Sequence, residues 1–524
     1  MLSQIDYELE SIQTRFESGE KTALRDWEAA FSKARVQWET DRARRLLHVL
    51  KSFSLDSKSQ GMLKYYEALL FINLGKWEKA QKAFRESIVI RQKLGDQQGE
   101  LTSLAGLANL LRRSANTIEE AQAAFQSALE STLAIGSSRV ILLNGMGLLL
   151  YEKGDLDQSE SCFREVCDLA RQTSNQELTA SALHNLGSIA WTRGRMTEAH
   201  GLLEQALDIQ RAIHDTHGEA ETLNSLGLAE EGLGNWDDAL RIYTDALEKL
   251  QETGDFYGQA QILINLGNTH LLKGAIQTAT ACHQQAYEIA KELGSLQLQG
   301  NSLTALGDDY RIDEDFTNAE RRLQLALDIK TRYREARSLK HTWQILGATY
   351  HSQRKASEAR AAYEKALHIA RCQNDRRMET YLLVNISTLL VAQERFEDAL
   401  PLLEDAKQIA LEDEYNDCLA WIYEQEGDIE LLFKQEVSGT KVLQSFSLAL
   451  WHASRFNEYE LKKLIERLGK FWIAHAEDGE VQASLWFCDN MIQLWRDSMG
   501  ADESGTIVIQ EFSRLKEKIK HVQG

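Results

Sequence analysis

The chain has 524 residues, a formal net charge of −20, 43% hydrophobic and 26% charged residues, and a single proline. This is the composition of a folded soluble protein. The acidic balance argues against nucleic acid, whose phosphates need a basic footprint, and against anionic membranes.

One proline in so long a chain fits helix almost throughout, because proline removes a backbone donor and clashes with the preceding turn. No apolar run approaches the roughly 18–20 residues that span a bilayer. The polar, acidic N-terminus reads as neither a signal nor a transit peptide. Six cysteines without a CxxC pair fit reduced thiols. A cytoplasmic protein is the expectation.

In chain order, residues 1–60 read as two or three helices with apolar spacing at Leu24, Trp27, Phe31, Leu46, Leu47 and Leu50. A ladder then begins: Ala68, Ala108, Gly147, Gly187, Gly227, Gly267, Gly307, Gly347, Ser387 and Gly427, forty residues apart with one single-residue slip. A fixed period of this size marks a solenoid, in which each unit buries its apolar face only against its neighbours.

The unit around Gly227 shows the plan. Leu223, Leu226 and Gly227 share one face of a first helix, which Gly234-Asn235 ends. Asp237 and Asp238 open a second helix, where carboxylates face the positive end of the dipole. Ala239, Tyr243 and Ala246 then form its packed stripe. The stripe recurs at Ala199/Leu203/Ala206, Ala279/His283/Ala286, Ala319/Leu323/Ala326, Ala359/Tyr363/Ala366 and Ala399/Leu403/Ala406. Earlier copies are Ala80/Phe84/Ser87, Ala121/Phe125/Ala128 and Ser159/Phe163/Val166. After Gly427 the second helix fits with about three extra residues, using Phe446 and Ala449. Residues 457–498 read as a further helix pair without the Gly and Ala marks, and 504–521 as a last amphipathic helix. Five of eleven tryptophans (Trp421, Trp451, Trp472, Trp486, Trp495) fall in this C-terminal region, as a packed cap or an aromatic contact surface.

These residues resemble tetratricopeptide repeats, in the forty-residue form of kinesin light chains and bacterial regulatory arrays. Linkers such as Asp215-Thr216-His217-Gly218-Glu219-Ala220 carry the same likeness, although the family's usual proline is missing. The resemblance implies an all-α, right-handed α-solenoid of about ten helix-turn-helix repeats. Residues 1–61 would form an N-terminal helical cap, 62–456 the superhelix, and 457–524 a divergent repeat with a capping helix.

In such a superhelix the first helix of each pair lines the concave side, so groove residues can be counted from the ladder. Asparagines precede it by two or three positions at Asn144, Asn185, Asn224, Asn265 and Asn385. In similar proteins an asparagine there grips the backbone of an extended peptide, its amide offering donor and acceptor together. Other groove positions hold Ser188, Trp191, Glu231, Asn268, Leu271, Asp308, Arg311 and His351, with Glu221, Gln261, Asn301, His341 and Tyr381 one turn earlier. Residues 215–255 carry eleven carboxylates against Arg241 and Lys249, followed later by the basic stretch Lys330, Arg332, Arg334, Arg337 and Lys340. Either these are solvated faces, or they steer a basic or bipolar partner segment into the groove.

Chemistry finds no foothold in the motifs. The glycines are spaced by repeats rather than gathered into a phosphate loop, and HExxH is absent. His270 and His283 occupy aromatic positions of a repeat with Cys282 beside them, and a satisfied core pair outweighs a zinc site there. The expectation is a non-enzymatic scaffold or adaptor with no cofactor or metal, binding a protein or extended peptide in its concave groove. The resemblance implies a sensor or regulatory subunit of a multi-protein bacterial regulatory or defence system, with any effector on a separate chain. The alternative is a switch that changes superhelical pitch on binding a peptide signal.

Overall fold

The computed structural model describes residues 4–18, 23–36, 40–52, 57–74, 76–112, 118–130, 136–332, 336–433, 439–456, 458–477, 480–499 and 503–522. Among the described residues there are 26 helices and no strands. The chain divides into two compact units, residues 1–182 and 183–524. This division falls inside the repeat array rather than at either end of it.

The first unit opens with α1 (Gln4–Glu17), α2 (Ala23–Val36) and α3 (Thr40–Ser52). Their core is aromatic: Trp27 stacks on Phe31 at 5.1 Å, Tyr66 meets Trp27 edge-on at 4.9 Å, and the Trp27 indole N–H donates to the Leu46 carbonyl at 2.7 Å. Helix pairs follow: α4 (Ser57–Asn73) with α5 (Trp77–Lys93), α6 (Gln97–Arg112) with α7 (Ile118–Glu130), and α8 (Gly136–Lys153) with α9 (Leu156–Gln172). Phe84, Phe125 and Phe163 are fully buried, one in each pair.

The second unit begins within α10 (Gln176–Thr192), which pairs with α11 (Met196–Ala212). Next come α12 (Thr216–Leu233) with α13 (Trp236–Thr253), α14 (Phe256–Leu272) with α15 (Ile276–Glu292), and α16 (Leu296–Ile312) with α17 (Phe316–Arg332). The regular series closes with α18 (Ala336–Ser352) and α19 (Ala356–Cys372), α20 (Arg376–Val391) and α21 (Phe396–Glu412), and α22 (Asn416–Phe433) and α23 (Gly439–Phe456). Both units are α-solenoids of helix pairs.

The predicted stripe is the glue of these pairs. From Ala199/Leu203/Ala206 to Ala399/Leu403/Ala406, every stripe residue is at most 1% exposed. The ladder glycine sits where the second helix presses its large stripe residue onto the first. A Cβ at Gly227 would lie 2.4 Å from the Tyr243 ring, and one at Gly187 would lie 2.7 Å from Leu203 Cγ. Small residues recur every forty positions because this contact recurs. Gly234 ends α12 in the left-handed region at φ 81, whereas equivalent turns use Glu314, Arg354 and Glu394 at φ 59 to 60.

The C-terminal elements are α24 (Glu458–Glu477), α25 (Val481–Met499) and α26 (Glu503–Val522). Here the sequence reading needs correction: α25 packs most closely on α26, and α24 lies against α26 rather than forming the usual tight pair with α25. The loss of the Gly and Ala marks removes the close-approach seam, and aromatic packing replaces it. Trp472 stacks on Phe487 at 4.3 Å, and Phe487 meets both Phe446 and Phe512 at 6.1 Å. Trp472 and Trp495 are buried, Trp421 and Trp451 half-buried, and Trp486 exposed. The second unit also curls back on itself. Trp236, at the start of α13, meets Tyr459, at the start of α24, edge-on at 4.2 Å. A Cβ at Gly194 would lie 3.7 Å from Arg377 Nη1.

Candidate functional site

In the second unit the first helix of each pair keeps one face open. On α12 this face is Glu221, Asn224, Leu228 and Glu231; on α14 it is Gln261, Asn265, Asn268 and Leu271. The intervening Thr222, Leu223, Leu226, Gly227 and Ala229 are buried. The spacing of i, i+3 or i+4, i+7 and i+10 is a single helical stripe. Desolvation holds the His341 and His184 rings down to about 4. Among the predicted site residues, Asn144 lies on α8 of the first unit. The others, Asn185, Asn224, Asn265, Asn385, Asn268, Glu221, Glu231, Asp308, Arg311, Trp191 and Tyr381, fall on the open stripes of α10 to α20.

Many of these side chains already bind one another across repeats. Asn265 Nδ2 donates to Asn224 Oδ1 at 2.7 Å, and the Trp191 indole N–H donates to the Leu228 carbonyl at 3.1 Å. Asn385 instead donates to the Tyr381 carbonyl of its own helix at 2.9 Å. Asp308 is paired with Arg311 at 2.7 Å. Tyr381 bonds Asp417 through its hydroxyl, and Arg377 holds the same carboxylate at 2.8 Å. Burial and the Asp417 charge push the Tyr381 hydroxyl well above its ordinary value. Asn268 and Glu221 are the exposed members.

The sequence reading missed three participants: His184, whose Nδ1 meets the Thr222 hydroxyl at 3.0 Å; the Arg377–Asp417 pair; and Thr269, which bonds Glu231. Thr269 stands two residues after its ladder glycine, a position counted as packing. A count extended to ten residues before Ser387 would have reached Arg377.

The charged stretches distribute differently from their sequence order. In the acidic segment, Asp215 and Asp255 are helix caps, accepting from the Gly218 and Gly258 amides at 3.0 Å. Glu219 pairs with Arg211 and Lys249, Asp237 with Lys273 and Asp238 with Arg241, all local or inter-repeat contacts. Glu230 is buried against His200 and Asn235. The basic stretch divides: Arg332 is exposed, whereas Lys330 and Lys340 are buried. Lys330 is 2% exposed and its ammonium donates to the Thr304 and Thr342 hydroxyls at 2.9 and 3.0 Å. Lys340 is buried with Gln373 and Asp375. Both lie on sides of their helices that pack against the next repeat; Arg334 lies outside the described residues.

Farther along the stripes, Arg467 of α24 pairs with Glu424 and Asp428 of α22. His283 spends both ring nitrogens inside the wall, on Asp309 at 2.8 Å and the Ile264 carbonyl at 3.1 Å, so it is a satisfied core histidine. No group of three metal-ligating side chains occurs among the described residues, and no described helix is long and apolar enough to cross a membrane.

Sequence models of the tetratricopeptide repeat match residues 138–212, 218–292 and 341–371. Among solved structures, a Rap protein complexed with Competence and Sporulation Factor aligns over 74% of this chain and 97% of its own, with a TM-score of 0.52 and 13% identity. The apo form of the quorum sensor NprR from B. thuringiensis aligns over 74% and 98%, with a TM-score of 0.45 and 13% identity. Aspartyl phosphate phosphatase F from Bacillus subtilis aligns over 68% and 95%, with a TM-score of 0.43 and 12% identity. At these identities the likeness is one of fold. No curated protein sequence matches the chain.

Proposed function

We propose that this tetratricopeptide-repeat protein is a non-catalytic recognition scaffold whose second unit holds an extended peptide or a protein segment along the open stripes of α10 to α22. The observation that carries the reading is the stripe itself. Successive first helices carry polar and aromatic side chains on their less buried face, while the intervening positions are buried. Asn268, Glu221 and Gln261 are exposed there. An extended chain laid across consecutive helices would meet amides, aromatics and carboxylates in turn, which is how repeat arrays bind along a surface. The neighbouring Rap protein was solved with a bound factor, so this fold is compatible with holding a second molecule. The role we assign is that of a sensor or regulatory subunit acting on a separate effector protein.

Photo-crosslinking from the native host tests it. A photoreactive residue at Asn268 should capture a protein or peptide partner that the same residue at Glu248, on α13, does not. Capture from Glu248 alone would overturn the lumen as the site. The contact between Trp236 and Tyr459 favours a second reading, a switch of variable pitch, because it ties elements far apart in the chain through one ring pair, half-buried Trp236 against exposed Tyr459.

A further inference from the structure

The carboxylates of the lumen are nearly all neutralised by the protein itself. Asp308 has Arg311, Asp417 has Arg377, and Glu424 and Asp428 share Arg467. Glu221 is exposed and lies 3.5 Å from His217. Glu231 differs: it is set into the wall, and among the described residues it makes no ion pair. Its contacts are the Thr269 hydroxyl and the nearby hydroxyl of buried Tyr243. Thr269 also lies 3.0 Å from the Asn265 carbonyl. With one hydroxyl proton, it cannot serve that carbonyl and an ionised Glu231 together. An indole holds the same register on the preceding first helix, four residues after its ladder glycine. Trp191 reaches from α10 to the Leu228 carbonyl, one turn before Glu231 on the same stripe of α12. A carboxylate without a counterion, with an indole on the adjoining helix, is the chemistry that takes a cation, by charge-assisted hydrogen bond and cation–π contact.

We propose that Glu231 and Trp191 form a cation subsite in the lumen, which takes the guanidinium or ammonium group of a basic residue in the bound segment. The inference rests on the lumen reading above and narrows it. An overall acidic field is not what selects the partner, because the other carboxylates are spent within the wall. One position of the ligand carries the charge, and its neighbours meet amides and aromatics.

The test selects random ten-residue peptides displayed on phage with the full chain, then with Glu231→Gln and Trp191→Phe. The wild type should enrich peptides carrying Arg or Lys at one fixed position. Glu231→Gln should weaken the best of these about ten- to hundredfold. Replacing its Arg by citrulline should cost the wild type the same factor and cost Glu231→Gln almost nothing further. Trp191→Phe keeps a ring and should lose less; it keeps the wild-type melting profile, and Glu231→Gln melts no lower than the wild type. Enrichment without a basic preference, or an equal citrulline loss in wild type and Glu231→Gln, would overturn the subsite while leaving the lumen reading standing. No enrichment by the wild type would overturn both.

Discussion

His283 and Asp309 show how one residue pair can change what a repeat interface demands. The neighbouring repeats carry Tyr243 and Leu323 at the first position and Thr269 and Thr349 at the second. Both partners are fully buried, and Asp309 Oδ1 has no hydrogen-bond partner. Removing only the imidazole strands a carboxylate in the core, so His283→Leu should cost about 3–5 kcal/mol in urea unfolding. Adding Asp309→Thr should recover most of that loss, since it restores the pattern of the flanking repeats.

Glu231 makes a prediction of opposite character. Burial raises its carboxyl from 4.5 to about 7. The folded state therefore favours the neutral form. That stability is complete below about 4.5 and is lost as pH rises through about 7. Glu231→Gln, neutral at every pH, should gain about 1–2 kcal/mol relative to wild type between pH 5 and pH 8, measured as denaturant midpoints.

At the scale of helices, the same forty-residue plan is executed with unequal local chemistry. Gly194, Gly234 and Gly274 turn the chain after α10, α12 and α14, whereas Glu314, Arg354 and Glu394 adopt the same left-handed conformation after α16, α18 and α20. A side chain there pays for the crowding of its Cβ. Arg354→Gly should raise stability by about 0.5–1 kcal/mol, seen as a higher melting temperature without change in helical content. The ladder and stripe were legible in the sequence because close approach of two helices constrains residue size at fixed intervals. The departure of α24 to α26 was legible only as a loss of those marks. What replaced them, the packing of Trp472, Phe487 and Phe512, depends on aromatic rings from three helices meeting.

At the scale of the second unit, curvature brings residues together that no local pattern connects. Trp236 and Tyr459 are the clearest instance. If that contact holds the curl closed, Trp236→Ala should raise the radius of gyration in small-angle scattering while far-UV dichroism stays unchanged. An unchanged scattering profile would show that repeat packing alone sets the curvature.

The sequence by itself determined the helical repeat, its period and the buried seam, because all three follow from helix geometry and residue size. Only the tertiary structure decided which polar groups are spent and which are available. Asn224 and Asn265 bond each other, Lys340 is committed to Asp375, and Lys330 is buried against threonines. Glu231 is left without a cation among the described residues. The physical reason is that pairing joins residues on successive repeats, 35 to 41 positions apart in the Lys340–Asp375 and Asn224–Asn265 contacts. Charge order along the chain says little about such neighbours until the helices are stacked.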